Sequence, residues 1–214
     1  MEKVEPQMTR YYDLDNSFVN YHVPGVDYLC LLRTPSRTLK VYDIVADRVE
    51  PNEEGFLATP HDHAYRFTTT VLDGRIANKC FEVKEADKFD RVWVGDKYVA
   101  WKRFNGAQDS HHECLGVASL SLEAEYAYLP GERYIVLPDE THTLSWDSYG
   151  FNSRNPVNTM LFLEQERRVR RGTRMFTKSF HKPSVAEGTY APMSKERADE
   201  IYDKFMDLRQ AAHL

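Results

Sequence analysis

The chain has 214 residues, of which 42% are hydrophobic, and its formal net charge is −5 at pH 7. This length and apolar content suffice for one sizeable domain, so disorder over most of the chain is not expected. The negative charge argues against nucleic acid as a partner. No apolar stretch approaches the roughly 20 residues that cross a bilayer, so we expect no membrane-spanning segment.

The cysteines and the first residues bear on the compartment. Cys30, Cys80 and Cys114 are too few and too widely spaced for a disulfide framework. Residues 1–6 lack the apolar stretch of a signal peptide. We therefore expect a protein of the reducing cytoplasm.

Short β-forming segments separated by turns occupy most of the chain, as in a sandwich or barrel. Residues 26–32 fit either a short strand or a helical turn. The Asp73-Gly74 pair predicts a hairpin between the strands before and after it. The predicted strands span residues 38–46, 63–72, 75–83, 116–122, 124–129, 133–137, 142–146 and 158–164.

Two further features complete the predicted architecture. Residues 84–115 contain two alternating pieces, 91–94 and 98–101, which predict a hairpin inserted into the barrel. Residues 194–212 follow a helical pattern with Ser194 as a plausible N-cap. We expect this C-terminal helix to pack on the outside of the barrel.

Three histidines suggest a metal site. His61 and His63 are separated by one residue, so on an extended strand both side chains face the same side. His142 lies far downstream in another β-forming segment and could supply a third imidazole. Three neutral imidazoles with open coordination positions are typical of a catalytic metal site rather than a structural one.

The two histidine segments resemble the two motifs of the cupin superfamily. The first motif is matched by a glycine, His-x-His and a spaced glycine, and the second by glycine, proline and histidine. Phe67 stands where that first motif commonly has glutamate. The matching residues are Gly55, His61, His63 and Gly74, then Gly131, Pro138 and His142.

What this resemblance implies is a fold and a metal site. It implies an all-β, single-domain chain (1–214) with a jelly-roll barrel core at about 38–165, an inserted hairpin and a C-terminal helix at about 194–212. Cupins often dimerise, so a homodimer is a further expectation.

Within the cupins, a three-histidine first motif reading His-Asp-His is similar to that of the thiol dioxygenases, the cysteine dioxygenase group. That resemblance implies Fe(II) as cofactor and O2 as co-substrate. The sequence departs from the group at Thr68, where animal cysteine dioxygenases have a crosslinked cysteine. Residues 159–164 also lack the histidine and tyrosine of the family's hydrogen-bonded set. Cysteine is therefore not carried over as substrate.

Strand alternation also suggests which residues contact a substrate. Tyr65, Phe67 and Thr69 follow His63 on the same face, and Trp146 follows His142 in the same way. These four side chains either line a substrate pocket or form barrel core. Tyr65 also offers an O–H donor and is a candidate catalytic residue.

Other polar residues admit more than one reading each. The His-His-Glu-Cys run at 111–114 is either an exposed rim or loop or a second metal site, and His112 could also act as an acid/base at the pocket mouth. Glu140 is either a solvated turn residue or else a fourth ligand or a base. The basic run between Arg167 and Arg174 is either a solvated edge or an anion site.

The sequence therefore predicts an enzyme, a mononuclear non-haem iron oxygenase, most simply a dioxygenase. Its substrate would be a small molecule that chelates the metal at His61, His63 and His142. One alternative is a redox-neutral isomerase, epimerase or hydrolase that uses Zn, Mn or Ni. Another is a cupin that binds a small ligand without catalysis.

Overall fold

The computed structural model describes residues 10–85, 96–104, 111–146, 156–169, 172–179, 181 and 189–211. Within them, strands dominate, and the chain ends in one α-helix. The strands are β1 (Asp13–Val19), β2 (Val26–Arg33), β3 (Arg37–Ile44), β4 (Phe67–Asp73), β5 (Ile76–Glu85), β6 (Asp96–Phe104), β7 (His111–Tyr128), β8 (Arg133–Val136), β9 (Thr141–Ser145), β10 (Thr159–Glu166), β11 (Thr173–Thr177) and β12 (Ala191–Pro192). A 3-10 turn spans Ala46–Arg48, and the helix is α1 (Lys195–Ala211).

The strands form two sheets. The large sheet has the order β12-β1-β2-β3-β10-β4-β8, and the small sheet has the order β11-β6-β7-β5-β9. Neighbouring strands of both sheets pair antiparallel. The chain passes repeatedly from one sheet to the other, as a jelly roll requires. The predicted all-β class of the jelly-roll type, with a C-terminal helix, is confirmed.

Apolar side chains fill the space between the sheets and also cover the outside of the large sheet. Val71, Val136 and Leu161 of the large sheet pack in one cluster with Ile76 of the small sheet. A second cluster joins α1 to the opposite face of the large sheet, with Leu29, Val41, Met160, Ile201 and Phe205 among its members. The large sheet is therefore buried on both faces.

The helix begins where the sequence predicts. Ser194 caps it, because the Arg197 backbone N–H donates to the Ser194 hydroxyl oxygen at 3.2 Å. Ile201 and Phe205 lie four residues apart on the buried stripe. No helix among the described residues is both long and apolar enough to cross a membrane.

The predicted hairpin at Asp73-Gly74 is wrong. In the described strand pairs, β4 pairs with β10 and β8, whereas β5 pairs with β7 and β9. The chain therefore turns from the large sheet into the small sheet at this point. Gly74 has φ +74°, and a Cβ there would lie 2.1 Å from the Asn158 carbonyl oxygen. Only glycine fits this close backbone approach.

The inserted hairpin is present but is divided differently from the prediction. β6 contains residues 98–101 and pairs with β7, while the predicted partner piece 91–94 lies outside the described residues. The two strands predicted at 116–122 and 124–129 form one long strand, β7. The hairpin enlarges the small sheet, because β7 also pairs with β5.

Replacing Gly74 with alanine should destabilise the fold sharply. Gly131→Ala is the matched control, since Gly131 has φ +88° and open space around its Cα. The control should lose about 1–2 kcal/mol of unfolding free energy through backbone strain. Gly74→Ala should lose roughly 1–3 kcal/mol more through the clash with Asn158. Urea denaturation of both variants measures the difference, and equal losses would contradict the close approach at Gly74.

Candidate metal centre

The three predicted histidines converge in the structure. His61 and His63 lie in the segment that precedes β4, and His142 lies in β9. One ring nitrogen from each lies within 4.8 Å of the other two. The Nε2 atoms of His63 and His142 are 3.0 Å apart. His142 is 2% exposed, and the other two side chains are partly buried.

The His-x-His segment is not the regular strand that the sequence predicts. β4 begins at Phe67, and His61 forms isolated bridges to His142 and to Met175. The alternation of side chains nevertheless holds over these three residues. His61 and His63 face the cavity described below, while Asp62 faces β11. The expected side-chain directions are therefore present without a continuous strand.

Backbone hydrogen bonds attach this segment to both edges of the small sheet. On the β9 side, the N–H groups of His61 and His142 each donate to the other's carbonyl oxygen at 2.9 Å. On the β11 side, the Asp62 N–H donates to the Arg174 carbonyl oxygen at 3.0 Å. The Phe176 N–H donates to the Pro60 carbonyl oxygen at 2.9 Å. The segment thus joins the two edge strands and fixes the position of His61.

A buried charge pair strengthens the attachment to β11. The Asp62 carboxylate accepts from the Arg174 backbone N–H and from Arg174 Nε, each at 2.7 Å. Asp62 is 1% exposed, so its negative charge depends on these donors for compensation. This pair was not predicted, because 111 residues separate its members in the sequence (63 through 173).

Two of the imidazoles are oriented by acceptors on their far sides. His61 Nδ1 donates to the Thr59 carbonyl oxygen at 2.8 Å, and His142 Nδ1 donates to Asn78 Oδ1 at 2.6 Å. The Asn78 amide nitrogen in turn donates to Cys80 Sγ at 3.5 Å. Each of these rings therefore keeps Nε2 unprotonated, as a metal ligand requires.

Burial keeps these rings neutral. Desolvation lowers the pKa of His61 and holds the pKa values of His63 and His142 well below the usual value for histidine. Neighbouring imidazoles act in the same direction on His63 and His142, because like charges disfavour protonation. At neutral pH the cluster therefore presents nitrogen lone pairs and no charge.

A cavity of about 110 Å³ adjoins the histidines, several times the roughly 10–15 Å³ that one water molecule needs. Its walls are mainly apolar and aromatic, and they come from the inner face of the large sheet, from β9 and from the connections that carry Tyr21 and His61. The lining residues are Tyr21, His22, Val23, Val26, Lys40, Tyr42, Ile44, Leu57, Ala58, His61, His63, Tyr65, Phe67, Tyr134, His142, Leu144, Leu161 and Leu163.

The structure separates the predicted pocket residues into two groups. Tyr65 and Phe67 line the cavity, but Thr69 and Trp146 do not. Trp146 packs in the core between the sheets, where its indole N–H donates to Thr159 Oγ1 at 3.4 Å. Thr69 is fully buried opposite Tyr134, which lines the cavity instead.

The predicted polar candidates also separate. His112 lies on β7 opposite Arg103, and neither β6 nor β7 contributes a described residue to the cavity. His112 therefore lies outside the cavity lining, and its role as an acid/base at the pocket mouth stays a prediction that this position does not support. Glu140 accepts from the Leu137 N–H at 3.1 Å and from Cys80 Sγ at 3.3 Å, which is the expected turn role.

Sequence reasoning missed five polar or aromatic groups of the cavity: Tyr21, His22, Lys40, Tyr42 and Tyr134. His22 has φ +68°, and its Nδ1 lies 2.5 Å from the Tyr190 hydroxyl. A signal for two of the others was present in β3. Its alternation places Lys40 and Tyr42 on the inner face, and a lysine at an inward position is unusual.

Comparisons with known proteins give limited similarity. No family model and no curated protein matches the chain. Among solved structures, a hydroxypropylphosphonic acid epoxidase from S. wedmorenis is 15% identical to this chain at a TM-score of 0.36. The match covers 74% of this chain and 59% of the epoxidase chain. Streptomyces albus HEPD, solved with 2-hydroxyethylphosphonate and Fe(II), is 13% identical at a TM-score of 0.37. The match covers 72% of this chain and 25% of the HEPD chain.

A third structure, KdgF from Halomonas sp., is 12% identical at a TM-score of 0.32, with 68% of this chain and 82% of that chain covered. This chain thus spans less than two thirds of the first two structures. Similarity of this extent establishes neither a family nor an activity for the chain.

The Asp62–Arg174 pair should contribute strongly to stability. Asp62→Ala would leave the Arg174 guanidinium, whose side chain is only 26% exposed, without its carboxylate. We expect a loss of about 3 kcal/mol in unfolding free energy by urea denaturation. The exposed pair Arg66–Glu166 is the control, and Glu166→Ala should cost at most about 1 kcal/mol. Similar losses in both variants would show that the buried pair has no special role.

Proposed function

We propose that the chain is a cupin-type mononuclear metal enzyme in which His61, His63 and His142 bind one Fe(II) ion. We further propose that it oxygenates a small molecule with O2, most simply as a dioxygenase. The observation that carries this proposal is the convergence of three neutral imidazoles beside a cavity with room for a ligand.

The donor set fits a divalent first-row metal. Two nitrogens bound at about 2.1 Å to one ion can lie 3.0 Å apart, as His63 Nε2 and His142 Nε2 do. The acceptors on Nδ1 of His61 and His142 leave Nε2 available as the ligand atom. Three protein ligands leave coordination positions open, which favours catalysis over a purely structural ion.

The neutral donor set also limits the chemistry. Three imidazoles leave the full 2+ charge on the ion, so negatively charged co-ligands are favoured. When bound, Fe(II) would supply Lewis acidity and a binding position for O2. The chain's own contribution is to orient the ligands, to exclude water with apolar walls and to offer hydrogen bonds from Tyr65 and Lys40.

One observation favours the redox-neutral alternative with Zn, Mn or Ni. Such an enzyme needs a base in the pocket, and Lys40 lies in the cavity wall. Burial lowers the pKa of its ammonium group to about 7, so a neutral amine is accessible near physiological pH. The identity of the bound metal and the need for O2 distinguish the two functions.

Elemental analysis of the untagged protein tests the proposed function. We expect about one iron per chain in the wild type, and none in His63→Ala, because two imidazoles hold the ion weakly. His112→Ala is the matched control, since His112 lies outside the cavity, and it should keep the metal. Circular dichroism should show that His63→Ala still folds, because the apolar core does not depend on this ring.

Other outcomes would change or end the proposal. Zinc, manganese or nickel held by the same histidines, with activity unaffected by anaerobic conditions, would replace it with redox-neutral chemistry. Equal metal content in the wild type and His63→Ala, or none in either, would overturn it. Iron-loaded protein that fails to bind nitric oxide, a surrogate for O2, would contradict the oxygenase function.

Asn78 should control metal affinity without touching the metal. Asn78→Leu removes the acceptor for His142 Nδ1, so the ring loses its fixed orientation. We expect Fe(II) or Zn(II) affinity to fall roughly 10–100-fold by competition with a chelator. Asn78→Asp keeps an acceptor at the same position and should restore much of the affinity. If both variants bind metal as the wild type does, the orienting role of Asn78 is wrong.

A further inference from the structure

A second depression lies next to the histidine cavity. It encloses about 310 Å³, and its basic walls come from the β2–β3 connection and the end of β10. We call it the arginine groove, after Arg33, Arg37, Arg167 and Arg168. Tyr21, Lys40 and Tyr65 line both spaces. These three shared residues mean that the groove and the cavity adjoin at one wall.

The groove is strongly positive in a chain whose net charge is −5. Its lining contains five basic side chains, the four arginines and Lys40, and one carboxylate, Glu166. Glu166 is already paired with Arg66, which lies outside the lining. A concave surface with this excess of one sign attracts ligands of the opposite sign.

One of the arginines is held by neutral groups. Arg33 donates to Asn16 Oδ1 at 2.8 Å and to the Tyr28 hydroxyl at 3.2 Å. These contacts hold the guanidinium in place, and no carboxylate in the described ranges forms an ion pair with it. Arg37 differs, because it pairs with Glu164. Arginine held in this way is suited to carboxylates and phosphates, which it binds through two parallel hydrogen bonds.

Lys40 lies at the shared wall, where it is buried and its ammonium group is held by neighbouring side chains. It is 3% exposed, and its Nζ donates to Gln165 Oε1 at 2.9 Å. The same Nζ lies 5.5–5.6 Å from the ring centroids of Tyr28, Tyr42 and Tyr65. Lys40 forms none of the ion pairs found in the described part of the chain.

A buried ammonium group without a carboxylate is costly, and burial accordingly lowers the pKa of Lys40 to about 7. A ligand anion placed beside Nζ would supply the missing counter-charge. The tyrosine rings around Nζ offer partial compensation through their faces, but they leave the hydrogen-bonding capacity of the ammonium group available.

We propose that the cavity and the arginine groove form one substrate site, and that the substrate carries a carboxylate or phosphate bound by Lys40, Arg33 and Arg168. The remainder of that molecule would extend past Tyr65 to the three histidines. This inference rests on the proposed function for the end of the substrate that binds the metal. It adds the chemical class of the substrate's other end.

Three ring compounds of similar size test the anion site directly: benzoate, phenyl phosphate and the neutral benzamide. Calorimetric titration of the full chain should show at least one of the anions binding ten times or more tightly than benzamide. Tight binding of phenyl phosphate alone would identify a phosphate-bearing substrate, and tight binding of benzoate a carboxylate. Equal binding of all three compounds would overturn the proposal.

Charge-removing variants locate the site. The double variant Arg33→Gln/Arg168→Gln should lose tenfold or more in affinity for the anion and little for benzamide. Lys40→Met should lose a similar factor, with folding checked by circular dichroism because the residue is buried. The matched control is Lys195→Gln, which removes one exposed charge on α1 and should bind as the wild type does. Unchanged anion affinity in the double variant would place the anion elsewhere and refute the groove.

Continuity with the metal end needs a separate measurement. In Co(II)-loaded protein, the ring protons of the bound anion should broaden in NMR spectra, because they approach the paramagnetic ion. Sharp signals from a bound anion would show two separate sites and contradict the single substrate site. Elemental analysis of the same samples separates the two proposals: metal without anion binding refutes this inference alone. Anion binding without metal refutes the proposed function instead.

Discussion

The geometry of the candidate centre depends on one short segment that is bonded to both edges of the small sheet. His61 exchanges backbone hydrogen bonds with His142 on β9, and Asp62 bonds to Arg174 on β11. The His61–His63 backbone does not have to form a regular strand, because its hydrogen bonds to β9 and β11 fix its position. The Asp62 carboxylate bonds to Arg174 on the side of the segment opposite the cavity, while the imidazoles face the cavity.

The two sheets contribute different parts of the candidate site. The large sheet, buried on its outer face by α1, supplies part of the cavity wall from β2, β3, β4, β8 and β10. The small sheet packs on a cluster of its own that includes Tyr98, Leu120 and Phe176. It supplies the candidate ligand His142 from β9 and, from β5, the Asn78 side chain that accepts from the His142 ring. The inserted hairpin enlarges this supporting sheet rather than the cavity.

Local patterns in the sequence predicted the fold class, most strands, the helix and the convergence of the three histidines. Period-2 alternation correctly placed Tyr65 and Phe67 on the cavity side, although Tyr65 lies before the start of β4. Local patterns failed where the pairing of a strand depends on residues far away in the sequence. Asp73-Gly74 has the composition of a hairpin turn, yet the approach of Asn158 makes it a crossing between sheets. Asp62–Arg174 and His142–Asn78 are long-range pairs with no local signature, so they emerge only from the folded chain.

The position of Phe67 links the metal site to the charge of its surroundings. Its ring lies 4.7 Å from that of His63 and 5.8 Å from that of His142, measured between centroids. A glutamate there would have brought negative charge to the cluster, whereas the phenyl ring brings none. Lys40, in the same cavity wall, adds a basic group that pairs with no carboxylate of the described residues. With a metal bound as proposed, positive charge would gather on this side of the barrel, and the proposed substrate would compensate it with negative charge at both ends. An anion at the metal and a second anion in the arginine groove satisfy the two ends of the site by the same electrostatic rule.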